Sequence, residues 1–100
     1  MRGQASISAD ILARYAADAA REVGGVRGLV ESPLPGRHAV RVTGEDGVVR
    51  VEMHLSVDWS ASIPELGREV QGRVREYLLR MADVEPASVD VVVAEIGPRP

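Results

Sequence analysis

The hydrophobic patterning of this chain predicts an α+β fold: a two-layer α-β-β-α-β domain with two helices packed on one face of a three-stranded sheet. Three observations carry that prediction. A strictly alternating run reaches from Val49 to Trp59, turn chemistry at Gly44-Glu45-Asp46-Gly47 precedes it, and segments of helical spacing lie on both sides.

In the alternating run, residues 49, 51, 53, 55, 57 and 59 are Val, Val, Met, Leu, Val and Trp, whereas 50, 52, 54, 56 and 58 are Arg, Glu, His, Ser and Asp. Side chains alternate across a pleated strand, so one face is apolar and the other wet. The glycines before it are available for positive φ, and the strand-like run Arg37 to Thr43 lies one turn upstream, which together spell a hairpin. With Glu45-Asp46 as its tip, the hairpin pairs Val42 with Val49, Val40 with Val51 and His38 with Met53. A slip by one residue would turn Val40 and Val42 to the wet side, so burial favours this parity.

Downstream, Ser62-Ile63-Pro64-Glu65 has the spacing of a capping box, with Pro64 suited to a first turn. Ile63, Leu66, Val70, Val74, Tyr77 and Met81 then recur at intervals of three and four, predicting one apolar stripe on a helix of about 28 Å that ends near Asp83. Glu69 with Arg73 and Glu76 with Arg80 stand four apart in the favourable order. An earlier helix is predicted from Ser8 to about Val23, with Ile11, Tyr15, Ala19 and Val23 at fourfold spacing, Asp10 in the first turn and Gly24-Gly25 as its stop. Its many alanines allow close approach to a neighbour. The stretch Gly24 to Gly36, with Pro33 and Pro35, reads as a mobile connection, Ser88 to Ile96 as the last strand, and residues 97–100 as a tail.

One hundred residues with 45% hydrophobic content fit a single domain over residues 1–100. The core must be aliphatic, because Phe is absent and the aromatics are one Trp and two Tyr. Without cysteine there is no disulfide, thiolate catalysis or Cys-ligated zinc, which suits the cytoplasm. No uninterrupted apolar run approaches the roughly 18 residues of a membrane span, and the N-terminus lacks an apolar signal core. Asp10, Asp18 and Glu22 against Arg14 and Arg21 are not the basic pattern that grips anionic lipid, so direct membrane insertion is not expected. A net charge of −3 argues against bulk nucleic-acid affinity.

The predicted sheet leaves one face without helices, and this open face is the candidate interaction surface. It gathers Arg37, Arg41, Arg50, Glu52, His54, Ser56 and Asp58 from the hairpin, and Val92, Ala94 and Ile96 from the last strand if Val89, Val91 and Val93 face the helices. Arg41 and Arg50 would stand directly opposed, a like-charge pair. An exposed charged face is ordinarily solvated; an apolar strip within a charged rim is what an interface looks like. His38 falls on the helix side and His54 on the open side, so they cannot share a metal, and no metal or cofactor is expected. No serine lies in a nucleophile elbow, and no carboxylate pair is placed for acid/base work, so an enzyme is not expected. Gly25-Val26-Arg27-Gly28 matches the G-x-x-G loop of KH RNA-binding modules in spelling alone. Trp59 ends the apolar face and reads as a lid over the second helix.

An ordered set of fragments adds a resemblance. Ser8-Ala9-Asp10-Ile11-Leu12 opens an alanine-rich helix leading to Val23-Gly24-Gly25-Val26-Arg27-Gly28-Leu29; Glu45-Asp46-Gly47-Val48-Val49, Ile63-Pro64-Glu65-Leu66, Glu69-Val70-Gln71 and Val89-Asp90-Val91-Val92-Val93 follow. The series resembles the alkaline-shock and Gls-type general-stress proteins, bacterial envelope stress response proteins, over nearly the whole chain. It departs from them at Trp59-Ser60, where members often carry an aromatic-glycine pair, and at Met81-Ala82-Asp83, where a Thr-Gly often follows the methionine.

The resemblance implies a cytoplasmic bacterial protein without catalysis, tied to envelope homeostasis, that self-associates and docks to a membrane-anchored partner, which would hold it at the periphery of the membrane. The expected function is therefore that of a non-enzymatic scaffold working through protein contacts and homo-oligomers. The alternative is a small RNA-binding module using the arginines of the open face.

Overall fold

The alternating run is the centre of the structure. In a computed structural model that describes residues 8–31 and 38–98, the elements are α1 (Ala9–Arg21), β1 (Val26–Leu29), β2 (Val40–Glu45), β3 (Val48–Val57), α2 (Ile63–Ala82) and β4 (Ser88–Ile96). Val51, Met53, Leu55 and Val57 are buried on the helix side of β3, as the period of two requires. The α+β, two-layer architecture is the predicted one, but the sheet has four strands rather than three.

The additional strand comes from the segment read as a mobile connection. Its residues 26–29 pair antiparallel with β3, Val26 beside Val57 and Leu29 beside Leu55, while the part of that connection from 32 to 36 lies outside the described residues. β1 and β2 share one edge of β3, β1 against Leu55–Val57 and β2 against Val48–Met53. They meet at His54, whose carbonyl accepts from the Val30 amide at 2.9 Å and whose amide donates to the Ala39 carbonyl at 2.8 Å. In effect the first strand of a long hairpin is interrupted, and the chain leaves the ladder at Glu31 and returns at Ala39. The signal was weak because four residues containing a glycine and an arginine show no clear alternation, and pairing with β3 overrode local propensity.

The hairpin turn is Asp46-Gly47, with φ of 53° and 76°. Such a turn needs positive φ at both central residues, and Asp-Gly supplies this far better than Glu45-Asp46. The predicted register is thereby corrected by two residues: Val40 faces Met53, Val42 faces Val51 and Gly44 faces Val49. A shift of two keeps every side chain on its predicted face. It also separates the two arginines, placing Arg41 opposite Glu52 and Arg50 opposite Thr43.

On its other edge β3 pairs parallel with β4, Arg50 beside Ser88 through Val57 beside Ile96. A parallel pair needs a crossover, and α2 is that crossover. α2 packs over β4, α1 packs over β1 and β2, and the helices pack on each other. Tyr15 and Tyr77 meet edge to face at 5.9 Å between the helices, and the Arg80 guanidinium sits 5.4 Å from the Tyr77 ring centre.

Both helical stripes are rotated from those read in the sequence. α2 buries Leu66, Val70, Val74 and Leu78, while Ile63 and Met81 overhang the sheet at its two ends and are exposed. α1 buries Leu12, Ala16, Ala17, Ala19 and Ala20, and leaves Ile11 outside. Alanine contributes little to a hydrophobicity pattern, yet its small size is what lets α1 lie close against α2 and the sheet. Ser8 caps α1 by accepting from the Ile11 amide at 3.2 Å. Ser62 makes no such bond, so the predicted capping box does not form. Trp59 is 49% exposed and is not a lid over α2.

Two paired substitutions test this packing. Val51→Asp places an unpaired carboxylate in the aliphatic core and is expected to cost several kcal/mol, whereas Thr43→Asp on the open face beside Arg50 should stay within about 0.5 kcal/mol of wild type in thermal melts. Gly25 has φ +98° and a Cβ there would stand 2.6 Å from Leu66 Cδ1, whereas a Cβ at Gly24 meets nothing within 4 Å. Gly25→Ala should therefore lower stability by roughly 1–3 kcal/mol, and Gly24→Ala should be nearly neutral in the same denaturant titration; equal midpoints would contradict the helix–turn geometry.

Candidate interaction surface

With both helices on one side, the other face of the sheet is built in rows across β2, β3 and β4. One row is Thr43, Arg50 and Ser88; the next is Arg41, Glu52 and Asp90. His54 lies beside Val92 in the third row, and its Nε2 is 2.9 Å from Glu52 Oε2. In the fourth, Gly28, Ser56 and Glu95 align, and the Ser56 hydroxyl donates to Glu95 Oε1 at 3.2 Å. A shallow hollow of about 110 Å³ is framed by Arg41, Thr43, Arg50, Glu52 and Asp90.

The structure brings together most of the residues singled out in the sequence. Arg41, Arg50, Glu52, His54 and Val92 share the open face, and Val92 is 40% exposed at its centre. Arg37 lies outside the described residues. Ala94 and Ile96 need a correction. The β3–β4 register shifts between Leu55 and Ser56, so Val93 pairs with Leu55 but Glu95 pairs with Ser56, and Ala94 is the extra residue of a bulge. Parallel neighbours point the same way, so the bulge turns Glu95 to the open face and carries Ile96 to the side of Val57. The alternation read along β4 could not show an inserted residue.

A second bulge, at Arg27 between Val26 and Gly28, lies across β3 from the first. Arg27 Nε is 3.9 Å from Asp58 Oδ1, and its side chain runs over Gly97, where any Cβ would stand 2.5 Å from Arg27 Cδ. Ser56, between the two bulges, is only 6% exposed despite its place on the open face. The Gly25-Val26-Arg27-Gly28 spelling is thus a turn entering a strand and not the helix-joining loop of a KH module. Ser56 keeps the open-face side that alternation gives it, whereas Arg27 and Glu95 were missed because their placement depends on bulges.

His38 lines a groove beside α1 with Arg14 and Glu31, on the helix side of the sheet and away from His54. Among the described residues, no group of three or more His, Cys, Asp or Glu side chains is placed to hold a metal ion. No helix among them is long and apolar enough to cross a membrane. The open face is a mosaic of charged and polar side chains with one exposed valine, Val92.

Solved structures share this fold. Two structures of MamM CTD variants align with TM-scores of 0.61 and 0.59, each 18% identical, covering 91% and 89% of this chain and 100% and 95% of theirs. A MamM variant structure aligns with a TM-score of 0.61 at 18% identity over 92% of this chain and 100% of its own. At that identity the likeness is one of fold. No curated protein matches the sequence significantly. The profile of the alkaline shock protein twenty-three family, a family of cell envelope-related function, matches residues 1–98. A match over that length, on a chain whose Ser8 cap, Asp46-Gly47 turn and Val89–Val93 strand are all in place, shows that the chain belongs to the alkaline shock protein twenty-three family.

Proposed function

We propose that this protein is a non-enzymatic scaffold of the bacterial envelope stress response, acting by protein contacts and self-association near the inner face of the cell membrane. The observation that carries this reading is the uncovered face of β2, β3 and β4, on which Val92 stands beside His54, with Glu52 and Asp90 in the adjoining row and Arg41 and Arg50 further along the face. A partner can bury the valine and meet the rim with complementary charge. Family membership supplies the envelope context. The partner is a protein held by its own membrane anchor, since the exposed face of α1 mixes Asp10, Asp18 and Glu22 with Arg14 and Arg21, and Asp18 already holds Arg21 at 3.4 Å.

The RNA-binding alternative rests on Arg41 and Arg50. Glu52 and Asp90 stand in the row of Arg41 and next to that of Arg50, putting carboxylates where phosphates would have to sit. The expected outcome is no complex with single-stranded RNA tighter than nonspecific binding at physiological salt. A micromolar complex lost in Arg41→Ala would reverse the order of the two readings.

The contact reading is tested with the double variant Val92→Arg/Arg50→Glu and a control, Arg68→Glu on α2. All three substituted sites are exposed and both variants should fold by circular dichroism. In host extracts the open-face variant is expected to lose at least about tenfold of its co-sedimentation with membranes, the control none, since changes at the buried centre of an interface dominate its energy. Unchanged co-sedimentation of the open-face variant would remove this face from the account.

A further inference from the structure

In one row the two edges of the sheet carry opposite charge. Along the row through Glu52, the β2 edge presents Arg41 and the β4 edge presents Asp90. Both are exposed, and neither forms an ion pair with another described residue. Asp90 has Glu52 as its neighbour on β3, a like-charge pair that leaves a cation wanted on its outer side. Charges on sheet edges commonly keep copies apart, and edges that serve only that purpose repel best with one sign. Opposite signs make them complementary.

We propose that copies of this chain join head to tail, the β4 edge of one pairing antiparallel with the β2 edge of the next, so that the sheet continues from copy to copy. This inference rests on the self-association part of the reading above and names its surface. Within one copy β2 runs antiparallel to β3, and β4 runs parallel to β3. A second copy placed beside the first in the same orientation therefore meets β4 with an antiparallel β2. Keeping the rows in line sets Asp90 against the second copy's Arg41 and Ser88 against its Thr43 on the open face. On the helix face it sets Val89 against Val42 and Val91 against Val40. The pairs match opposite charges, hydroxyl with hydroxyl, and valine with valine.

The two-fold alternatives fit worse. β4 carries Asp90 and Glu95 and no basic residue, so pairing β4 with its own copy brings carboxylates together. Pairing β2 with its own copy about Thr43 matches Arg41 with Glu45, but it sets Val40 against Asp46 on the helix face. A heterologous contact does not close on itself, so the expected assemblies grow with concentration beyond a dimer. Their open faces would align along one side and present Val92 as a repeated contact.

The experiment is analytical ultracentrifugation of the full chain at low and high salt, with circular dichroism to show that each variant is folded. Wild type is expected to form a concentration-dependent series, weakened by salt. Arg41→Asp and Asp90→Arg should each weaken association about tenfold or more, and the double variant, which restores opposite signs, should recover it. Mixing the two single variants is decisive. Asp90 of an Arg41→Asp chain meets Arg41 of an Asp90→Arg chain, and the two substituted edges also meet with opposite signs, so equal amounts should regain an assembly in which the two variants alternate, whereas each alone stays weak. A wild type that stays monomeric overturns the inference, as does a mixture in which the two variants do not assemble with each other. Assembly insensitive to Asp90→Arg would assign it to the β2 two-fold instead. If membrane co-sedimentation still depends on Val92 while wild type is monomeric, edge pairing alone fails and the contact reading stands.

Discussion

The rest of the structure depends on β3, a strand whose one face is aliphatic and whose two edges are both occupied. Val51, Met53, Leu55 and Val57 form the floor of the core, and the buried sides of α1 and α2 close over them. With no Phe in the chain, this floor is assembled from branched aliphatic side chains and methionine, and the alanines of α1 compensate by bringing that helix close. A substitution on the helix face of β3 therefore affects both layers at once.

Because β1 and β2 divide one edge of β3 between them, His54 is the point at which the split strand is joined. Its backbone bonds to Val30 on one side of the excursion and Ala39 on the other, while its side chain reaches Glu52 on the open face. The excursion leaves the ladder without breaking the alternation of faces. The two bulges, at Arg27 and Ala94, lie on opposite sides of the same end of β3 and enclose Ser56 between them. That end of the sheet is closed and polar, and the end holding Arg41, Arg50 and Asp90 is flat.

The proposed function builds on this asymmetry. One face of the sheet is used up in making the core, and the other is a charged surface with a small apolar centre. The helices do not reach it, and the charges on its edges differ in sign. Such a surface suits recognition between folded proteins, in a family whose role is related to the cell envelope.

Much of this was legible in the sequence because strand alternation and turn chemistry are local. The faces of β3, the hairpin, the extent of β4 and the end of α2 at Asp83 all follow from residue spacing, and the residues carrying the family likeness are sequential too. Arg41, Arg50, Glu52, His54 and Val92 could be placed on one face because a register error of two residues leaves faces unchanged. What only the tertiary structure decided is non-local. Residues 26–29 become a strand because β3 offers an unfilled edge. Arg41 faces Glu52 rather than Arg50 because the turn needs positive φ at Asp46 and Gly47. Ile96 leaves the open face and Glu95 joins it because one residue is inserted at Ala94. The helix stripes rotate because burial is set by where α1 and α2 meet each other and the sheet, and alanine, nearly silent in a hydrophobic pattern, fits where larger side chains cannot.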